Sequence, residues 1–320
     1  MTAGTTRAQV LADRVTEQVG KVVVGQREVI NQALVAILAR GHVLLEGVPG
    51  TAKTLLVKTL AAVLGREFRR VQMTPDLMPS DIVGTYVYDM QARTFNLRQG
   101  PIFTSILLAD EINRAPAKTQ SALLEGMQEL QVTIDGITHP LDGDFAVFAT
   151  QNPVEFEGTY PLPEAQLDRF MLKIHVAYPS KEEEDELLRR VHRGFDPLHF
   201  RPEAVEPCVS AEELALCREE VQRVRVEDAV VSYVGEVIRA TRSSPNLVLG
   251  CSPRAGVMVL LAAKTLAAMR DRDFMIPDDV KAVAVPALRH RVILRPEADI
   301  EGLTSDDVIR AVLGEVPVPR

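Results

Sequence analysis

Cysteine, tryptophan and aromatic residues are scarce in this chain of 320 residues. It has no tryptophan, three cysteines and 5% aromatic residues. Cys208, Cys217 and Cys251 lack the close C-x-x-C spacing of a zinc or redox motif. So few cysteines exclude a disulfide framework and favour free thiols in a reducing compartment. The six histidines are scattered without ligand spacing, so no histidine metal site is predicted.

Long hydrophobic runs and excess positive charge are also missing. The longest apolar stretch, residues 257–269, is interrupted by Lys264 and is too short to span a bilayer. No apolar run precedes Asp13, so a signal peptide is not expected. These features predict a cytoplasmic protein without membrane insertion. The net charge of −8 gives no long-range attraction to nucleic acid or to anionic membranes.

Length and patterning predict two domains. At roughly 150 residues per domain, the chain has room for about two. The pattern changes near Phe195–Pro202, which predicts a first domain over residues 1–195 and a second over residues 196–320. The second region shows only helical patterns, with helix starts at Ser252-Pro253, Pro277 and Thr304.

The first domain alternates strand-like and helical segments, which predicts an α/β fold around a mostly parallel sheet. The strand-like runs are Val43–Glu46, Phe68–Gln72, Ser105–Ala109, Phe145–Thr150 and Met171–Val176. Two hairpins are expected in addition. One pairs Gly84–Tyr88 with Thr94–Leu97, and the other turns at Asp135-Gly136. The charged run Lys181–Glu186 is interpreted as a solvated helix face.

A phosphate-binding loop is predicted between the first strand and the helix that follows it. It consists of Gly47, Val48, Pro49, Gly50, Thr51, Ala52, Lys53 and Thr54. Backbone N–H groups and the helix N-terminus would surround a phosphate, Lys53 would reach the outer phosphates, and the Thr54 hydroxyl would bind magnesium. Leu55 continues the site into the helix. Ala52 replaces the usual glycine, and we expect it to adopt ordinary helical dihedral angles.

A second motif, a pair of acidic residues, supports the prediction of the phosphate loop. The buried strand 105–109 is followed by Asp110 and Glu111. Asp110 would hold magnesium and Glu111 would act as the general base on the attacking water. A surface acidic pair after a core strand is the alternative, and the upstream phosphate loop argues against it.

Read together with three later motifs, this sequence resembles the AAA+ superfamily and, within it, the MoxR family. The resemblance spans nearly the whole chain. It is carried by the following segments: Leu107–Pro116, Gln120–Glu129, Ala149–Pro153, Gly158–Phe170 and Cys251–Ala255. It implies a P-loop core with a helix-two insertion hairpin, formed by the segment from Gly84 to Leu97, and a small all-helical lid domain.

The resemblance also implies roles for individual residues. Asn152 is similar to the sensor that positions water, Arg169 to an arginine finger that acts on the neighbouring subunit, and Arg254 to a lid sensor of the γ-phosphate. Val23, Val24, Gly25 and Gln26 are similar to the segment that lines the adenine pocket. Arg114 is a further candidate for a contact between subunits. Turn residues, helix starts or structural ion pairs would explain the same side chains.

The implied function is that of a MoxR-like ATPase. ATP and Mg²⁺ would bind between core and lid, and hydrolysis would change the lid angle through Arg254. A homo-oligomer, a hexamer, would remodel protein clients or insert metal into them, with a von Willebrand factor A domain protein as partner. A chelatase subunit, a DNA-dependent motor and a nucleotide-gated scaffold are the alternatives. The acidic charge argues against DNA, and the presence of Glu111 argues against the scaffold.

Overall fold

A computed structural model describes residues 5–152, 160–196 and 205–319. Its helices are α1 (Arg7–Gly20), α2 (Arg27–Leu38), α3 (Lys53–Val63), α4 (Pro79–Val83), α5 (Ala117–Glu129), α6 (Glu164–Leu167), α7 (Lys181–His192), α8 (Ala211–Arg223), α9 (Asp228–Ser243), α10 (Pro253–Met269), α11 (Pro277–Leu288), α12 (Pro296–Ile300) and α13 (Ser305–Glu315). Its strands are β1 (Val43–Glu46), β2 (Phe68–Gln72), β3 (Gly84–Asp89), β4 (Thr94–Gln99), β5 (Ile106–Asp110), β6 (Gln131–Ile134), β7 (Ile137–Pro140), β8 (Ala146–Gln151), β9 (Leu172–His175), β10 (Leu247–Leu249) and β11 (Ile293–Leu294).

The main sheet is parallel and has the strand order β2-β5-β8-β1-β9. Each predicted strand is confirmed to within one residue at either end. All residues of β5 are buried, which fits a strand covered on both faces. Because the strands are parallel, the loops after β1, β5 and β8 leave the sheet at one shared edge. Ligands in such sheets bind outside the carboxyl ends of the strands.

Both predicted hairpins are confirmed. β3 pairs antiparallel with β4, and β6 pairs antiparallel with β7. The second hairpin turns at Asp135 and Gly136, whose φ angles are 49° and 81°. Positive φ at both positions is what a tight two-residue hairpin requires. Tyr86 and His139 join the two hairpins through a contact of 3.2 Å between the Tyr86 hydroxyl and the His139 Nε2.

The lid is helical, as predicted, but it also contains a ribbon that the sequence did not reveal. β10 and β11 pair antiparallel next to α9 and α12. These strands have three and two residues, which is too few for an alternating pattern to be recognised. The expectation of an all-helical lid is therefore corrected by this ribbon. Among the described residues, no helix is both long enough and apolar enough to cross a membrane.

Helix α1 connects the sheet domain with the lid. It packs against α2 and α3 of the sheet domain and against α8 and α10 of the lid. At its start, the N–H groups of Arg7 and Ala8 donate to the Glu220 carboxylate of α8 over 3.2 and 2.9 Å. Anions at a helix N-terminus are favoured by the helix dipole. Both regions thus contribute to one hydrophobic cluster. The division into residues 1–195 and 196–320 stays a prediction, since it adjoins residues 197–204, outside the described part.

His42, just before β1, is a fully buried neutral base. Its Nε2 lies 2.9 Å from the Met127 carbonyl, and its Nδ1 accepts from the Val147 N–H over 3.1 Å. Burial lowers the pKa of His42 to about 4. The hydrogen bond to Met127 raises this pKa, and the charge of Arg254 lowers it further. The neutral ring satisfies both contacts, because Nε2–H donates to Met127 and Nδ1 accepts from Val147. A second proton, on Nδ1, would point at the Val147 N–H, which is also a donor.

The His42→Gln substitution is expected to flatten the pH dependence of stability. The unfolded chain takes up a proton on this histidine near pH 6.5, whereas the folded chain does so only near pH 4. Stability from the neutral ring is therefore complete above pH 6.5 and is lost as the pH falls towards 4, by roughly 3 kcal/mol. Urea unfolding at pH 7 and pH 4 measures the loss, with exposed His192→Gln as control. An unchanged loss in His42→Gln would contradict the account.

Candidate nucleotide-binding site

A cavity of about 570 Å³ lies at the carboxyl edge of the main sheet. Its size is typical of sites for small-molecule ligands. It is lined by the following residues: Val22, Val23, Val24, Gln26, Pro49, Gly50, Thr51, Ala52, Lys53, Thr54, Leu55, Asp110, Glu111, Thr150, Gln151, Asn152, Pro179, Glu183, Leu187, Leu188 and Val191. One end is polar and contains the predicted phosphate loop, and the other is walled by valines and leucines.

Most of the predicted site residues lie together in this cavity, including Glu111 and Asn152. Of the predicted nucleotide ligands, Gly25, Gly47 and Val48 do not line it. The last two still shape the site through their backbones. Lys53 Nζ donates to the carbonyls of Gly47 and Val48, each over 2.8 Å. Burial lowers the pKa of Lys53, and the charges of Asp110 and Glu111 oppose that shift.

The phosphate loop has the features that an anion needs. Helix α3 begins at Lys53, and Ala52 at its N-cap has no side-chain oxygen that could satisfy the first N–H groups. Such a helix start is suited to phosphate. The loop is tied to the entry of α2, because Gln26 Nε2 donates to the Thr51 carbonyl over 2.9 Å.

The conformation of Ala52 differs from expectation. Its φ and ψ are 61° and 23°, in the left-handed region, and not the ordinary helical values that we expected. This conformation costs a residue with a Cβ about 1–2 kcal/mol. The usual glycine would avoid that cost. The loop geometry therefore dictates the left-handed turn even where the sequence supplies alanine.

Asp110, at the end of β5, is held from three directions. Its Oδ1 accepts from the Thr150 hydroxyl over 2.6 Å, and its Oδ2 accepts from Arg70 Nε over 2.9 Å. The Thr54 hydroxyl lies 3.4 Å from the same Oδ2. The two predicted magnesium ligands, Thr54 and Asp110, are thus adjacent. Sequence reasoning did not identify Arg70 or Thr150.

Glu111 directly follows β5 and has a left-handed backbone, with φ 59°. Its N–H donates to Thr150 Oγ1 over 2.8 Å, and its Oε2 accepts from Gln72 Nε2 and from Arg114 Nη1, each over 2.8 Å. A strained backbone fixed by neighbouring bonds is common at functional sites. Arg114, predicted as a contact between subunits, pairs here with Glu111 of its own chain.

Known proteins resemble the chain over nearly its full length. Family models match it for the ATPase family associated with various cellular activities (AAA), over residues 42–172, and for the AAA lid domain, over residues 239–312. Chaperone MoxR1 of Mycobacterium tuberculosis is 46% identical over 96% of this chain and 82% of its own length. Protein MoxR of Methylorubrum extorquens is 31% identical, over 96% and 95%. The chain belongs to the MoxR family of AAA+ ATPases.

A solved structure supports the same assignment. A crystal structure from Cytophaga hutchinsonii, of a protein whose ATPase assignment is provisional, has a TM-score of 0.88 and 44% identity. The match covers 98% of this chain and 97% of that one. The chain is accordingly a nucleotide-binding, ATP-hydrolysing enzyme with an AAA+ core and a helical lid.

Part of the apolar wall of the cavity in this MoxR-family ATPase comes from α7. Glu183, Leu187 and Val191, four residues apart, lie on its cavity face. The interpretation of residues 181–186 as a solvated face stays a prediction: no residue of α7 is buried, and Glu183 borders the cavity. The spacing of residues 183, 187 and 191 could have indicated the cavity face of α7, but the many charged residues around these positions obscured the pattern. Gly25 lies directly behind, and a Cβ there would come within 2.3 Å of the Glu183 carboxylate.

The two predicted arginines do not lie in the cavity of their own chain. Arg169 precedes β9, and the next residue but one, Met171, donates its N–H to the His42 carbonyl over 2.8 Å. Arg254 comes two residues after Ser252, whose hydroxyl donates to Asp168, the neighbour of Arg169, over 2.9 Å. Both arginines therefore lie at the amino edge of the sheet. From His42 to Gly47 the chain runs roughly 16 Å along β1, beyond the reach of an arginine side chain.

This placement corrects one expectation for the MoxR-family chain. No residue from the described lid, 205–319, lines the cavity, so this cavity does not lie between the core and the lid of one chain. The sequence motif identified Arg254 but carried no information on which side of the sheet the lid packs.

Gly47→Ala is expected to damage the phosphate loop. A Cβ at Gly47 would lie 2.4 Å from the Val176 carbonyl oxygen, a backbone atom that cannot rotate away. Overpacking of this kind costs about 1–3 kcal/mol. Urea unfolding and binding of a fluorescent ATP analogue should both show losses. Gly143→Ala, where a Cβ meets nothing within 4 Å, is the matched control. Equal behaviour of the two variants would contradict the contact.

Proposed function

We propose that the chain forms a homo-hexameric ring that hydrolyses ATP with Mg²⁺ at sites shared between neighbouring subunits and uses the cycle to remodel protein clients. One observation carries the proposal. The phosphate loop and both acidic residues line a cavity at one edge of the sheet, while Arg169 and Arg254 lie at the opposite edge. A ring is the arrangement in which the arginines of one subunit meet the cavity of the next.

Mg²⁺ fits the residues present. The Thr54 hydroxyl and the Asp110 carboxylate are neighbouring oxygen donors, the type of ligand that Mg²⁺ prefers. The ion would neutralise charge on the phosphate oxygens. Arg70 now neutralises Asp110, and its exposed side chain is free to move to solvent when a metal ion takes its place.

The remaining cavity residues have distinct tasks. Lys53 exchanges its loop carbonyls for phosphate oxygens. Glu111 accepts a proton from the attacking water, and Asn152, which follows β8 in the same cavity, orients that water. Val24 and the leucines of α7 cover the base. Arg114 Nη1 lies 2.8 Å from Glu111 Oε2, so this pair has to separate before that oxygen can contact the attacking water.

Arg169 and Arg254 act together on the neighbouring subunit in this proposal. Within the described residues, neither guanidinium has a hydrogen bond or an ion pair. Cations without partners at a surface are suited to phosphate charge that arrives from outside. Arg254 thus senses the nucleotide of the neighbour and not that of its own subunit.

Clients and partners are the least constrained part of the proposal. The relative from Mycobacterium tuberculosis is named a chaperone. The β3–β4 hairpin offers a contact surface, since Met90 and Phe95 are 84% and 68% exposed. Tyr88 packs against Phe95 with tilted rings, whose centroids are 5.1 Å apart. We propose a protein with a von Willebrand factor A domain as partner, and a cytoplasmic location, in keeping with three free thiols.

Complementation between inactive variants tests the shared site. Glu111→Gln subunits keep their arginines but lack the base, and Arg169→Ala subunits keep a complete cavity but lack the finger. Each variant alone should be nearly inactive, and mixing them should restore ATPase activity at the junctions where a Glu111→Gln subunit serves an Arg169→Ala cavity. If mixtures of the two assembled proteins gave only the sum of the separate activities, the shared site would be wrong.

A further inference from the structure

A buried arginine of the lid holds the chain on both sides of Arg169. Arg291, between α11 and β11, has a side chain that is only 1% exposed. Its Nε donates to Asp168 Oδ1 over 2.6 Å. Its Nη2 donates to the carbonyls of Asp168 and Phe170 over 3.0 and 2.6 Å, and its Nη1 to the carbonyl of Met171 over 3.2 Å. One guanidinium therefore fixes the backbone immediately before and after Arg169.

The same aspartate also holds the start of the helix that carries Arg254. Asp168 Oδ2 accepts from the Ser252 hydroxyl over 2.9 Å. Ser252 is the N-cap of α10, where its hydroxyl accepts from the Ala255 N–H over 3.3 Å. Arg254 is the second residue of that helix. Asp168 is therefore next to Arg169 in the chain, and through its hydrogen bond to Ser252 it also holds the start of the helix that carries Arg254. We call Asp168 with its partners Arg291 and Ser252 the Asp168 node.

The charges around Asp168 explain why the Asp168 node affects both arginines. Arg291 is almost fully buried, and burying an arginine is costly unless its donors are satisfied. Arg169 is the next residue in the chain, and Arg254 comes two residues after Ser252, so two more cations lie near Asp168. Among the described residues neither guanidinium has a hydrogen bond or an ion pair, and the backbone that Asp168 and its partners hold sets where each side chain begins. A small movement of the Asp168 node would therefore displace both guanidinium groups together.

We infer that Arg291, acting through Asp168, is a positioning residue that presents Arg169 and Arg254 as a fixed pair to the neighbouring subunit. This inference rests on the proposed shared site. It assigns Arg291 a role in the activity of the next subunit and none in the cavity of its own. The node is made of lid and core residues, so it also couples the lid to the finger.

The experiment places Arg291→Lys in one partner at a time of the complementing pair. The donor is the subunit that supplies the arginines, and there the substitution is combined with Glu111→Gln. The acceptor is the subunit that supplies the active cavity, and there it is combined with Arg169→Ala. Lysine keeps the charge but cannot reproduce the forked set of hydrogen bonds. We expect the donor version to lower complemented kcat on the order of 10²-fold, with KM for ATP little changed, because misplacement by about 1 Å has that effect. The acceptor version should complement normally.

Arg289→Lys is the matched control. Arg289 lies two residues away and pairs with Asp306 of the lid over 2.8 Å, without a bond to residues 168–171. It should complement in either partner. Sedimentation velocity and thermal unfolding confirm that each variant is folded and assembled. If Arg291→Lys reduced donor and acceptor activity equally, the role would be structural and the inference would be overturned.

Asp168→Asn provides a second route if Arg291→Lys does not fold. The amide keeps an acceptor for Ser252 or Arg291 but removes the charge. The same loss in the donor alone is expected, and equal losses would again overturn the inference. Failure of the unmodified Glu111→Gln and Arg169→Ala pair to complement would have a different meaning. It would reject the shared site itself, before any Arg291 variant is compared.

Discussion

Replacing Glu111 by glutamine is expected to slow ATP hydrolysis by roughly 10²–10⁴-fold, the usual contribution of a positioned general base. Glutamine has nearly the same shape and can keep contact with Gln72 and Arg114, but it cannot accept a proton. Binding of ATP should stay within a few-fold of wild type, because Lys53 and the phosphate loop are untouched. Steady-state hydrolysis and equilibrium binding of a fluorescent ATP analogue measure the two quantities separately.

Glu125→Gln is the matched control for this prediction. Glu125 is exposed on α5, lies outside the cavity, and its replacement makes the same change of charge. Its activity should equal that of wild type. Two results would count against the role of Glu111: hydrolysis near the wild-type rate in Glu111→Gln, or loss of nucleotide binding together with activity. The second would indicate a structural defect.

Replacing Arg169 by alanine is expected to lower kcat by roughly 10³–10⁵-fold, the contribution measured for arginine fingers in phosphoryl transfer. The phosphate loop and Glu111 remain in place, so the affinity for ATP should change little. The loss must occur without loss of assembly, which sedimentation velocity at the assay concentration checks. Arg239→Ala, at an exposed position on α9, removes the same charge and should keep full activity. An Arg169→Ala protein that assembles and hydrolyses normally would reject the finger.

The sequence was informative where local chemistry determines structure. Apolar runs of the right length predicted the strands of the main sheet, and Asp135-Gly136 predicted a hairpin turn. The order of glycines, Lys53 and Thr54 before a helix, with Asp110 and Glu111 after a later strand, predicted residues that the fold brings into one cavity. In each case a short segment carries the whole physical requirement, such as positive φ or a helix N-terminus.

The sequence was silent where packing between distant segments decides. The side of the sheet on which Arg254 lies depends on how α1, α8 and α10 pack, which no local pattern encodes. Arg70 and Gln72 became site residues only because β2 lies beside β5. The Asp168 node joins residues more than a hundred positions apart, such as Arg291 and Asp168. Ala52 shows the converse, since the surrounding loop imposed a left-handed backbone on a residue that disfavours it.

The dependence of ATPase activity on protein concentration tests the central claim most directly. With sites shared between subunits, specific activity should rise with concentration and reach a plateau over the range in which sedimentation velocity shows the ring assembling. Dilution into monomers should abolish it, because Arg169 and Arg254 cannot reach the cavity of their own chain. Specific activity that stays constant from monomer to ring would contradict the shared site and the account built on it.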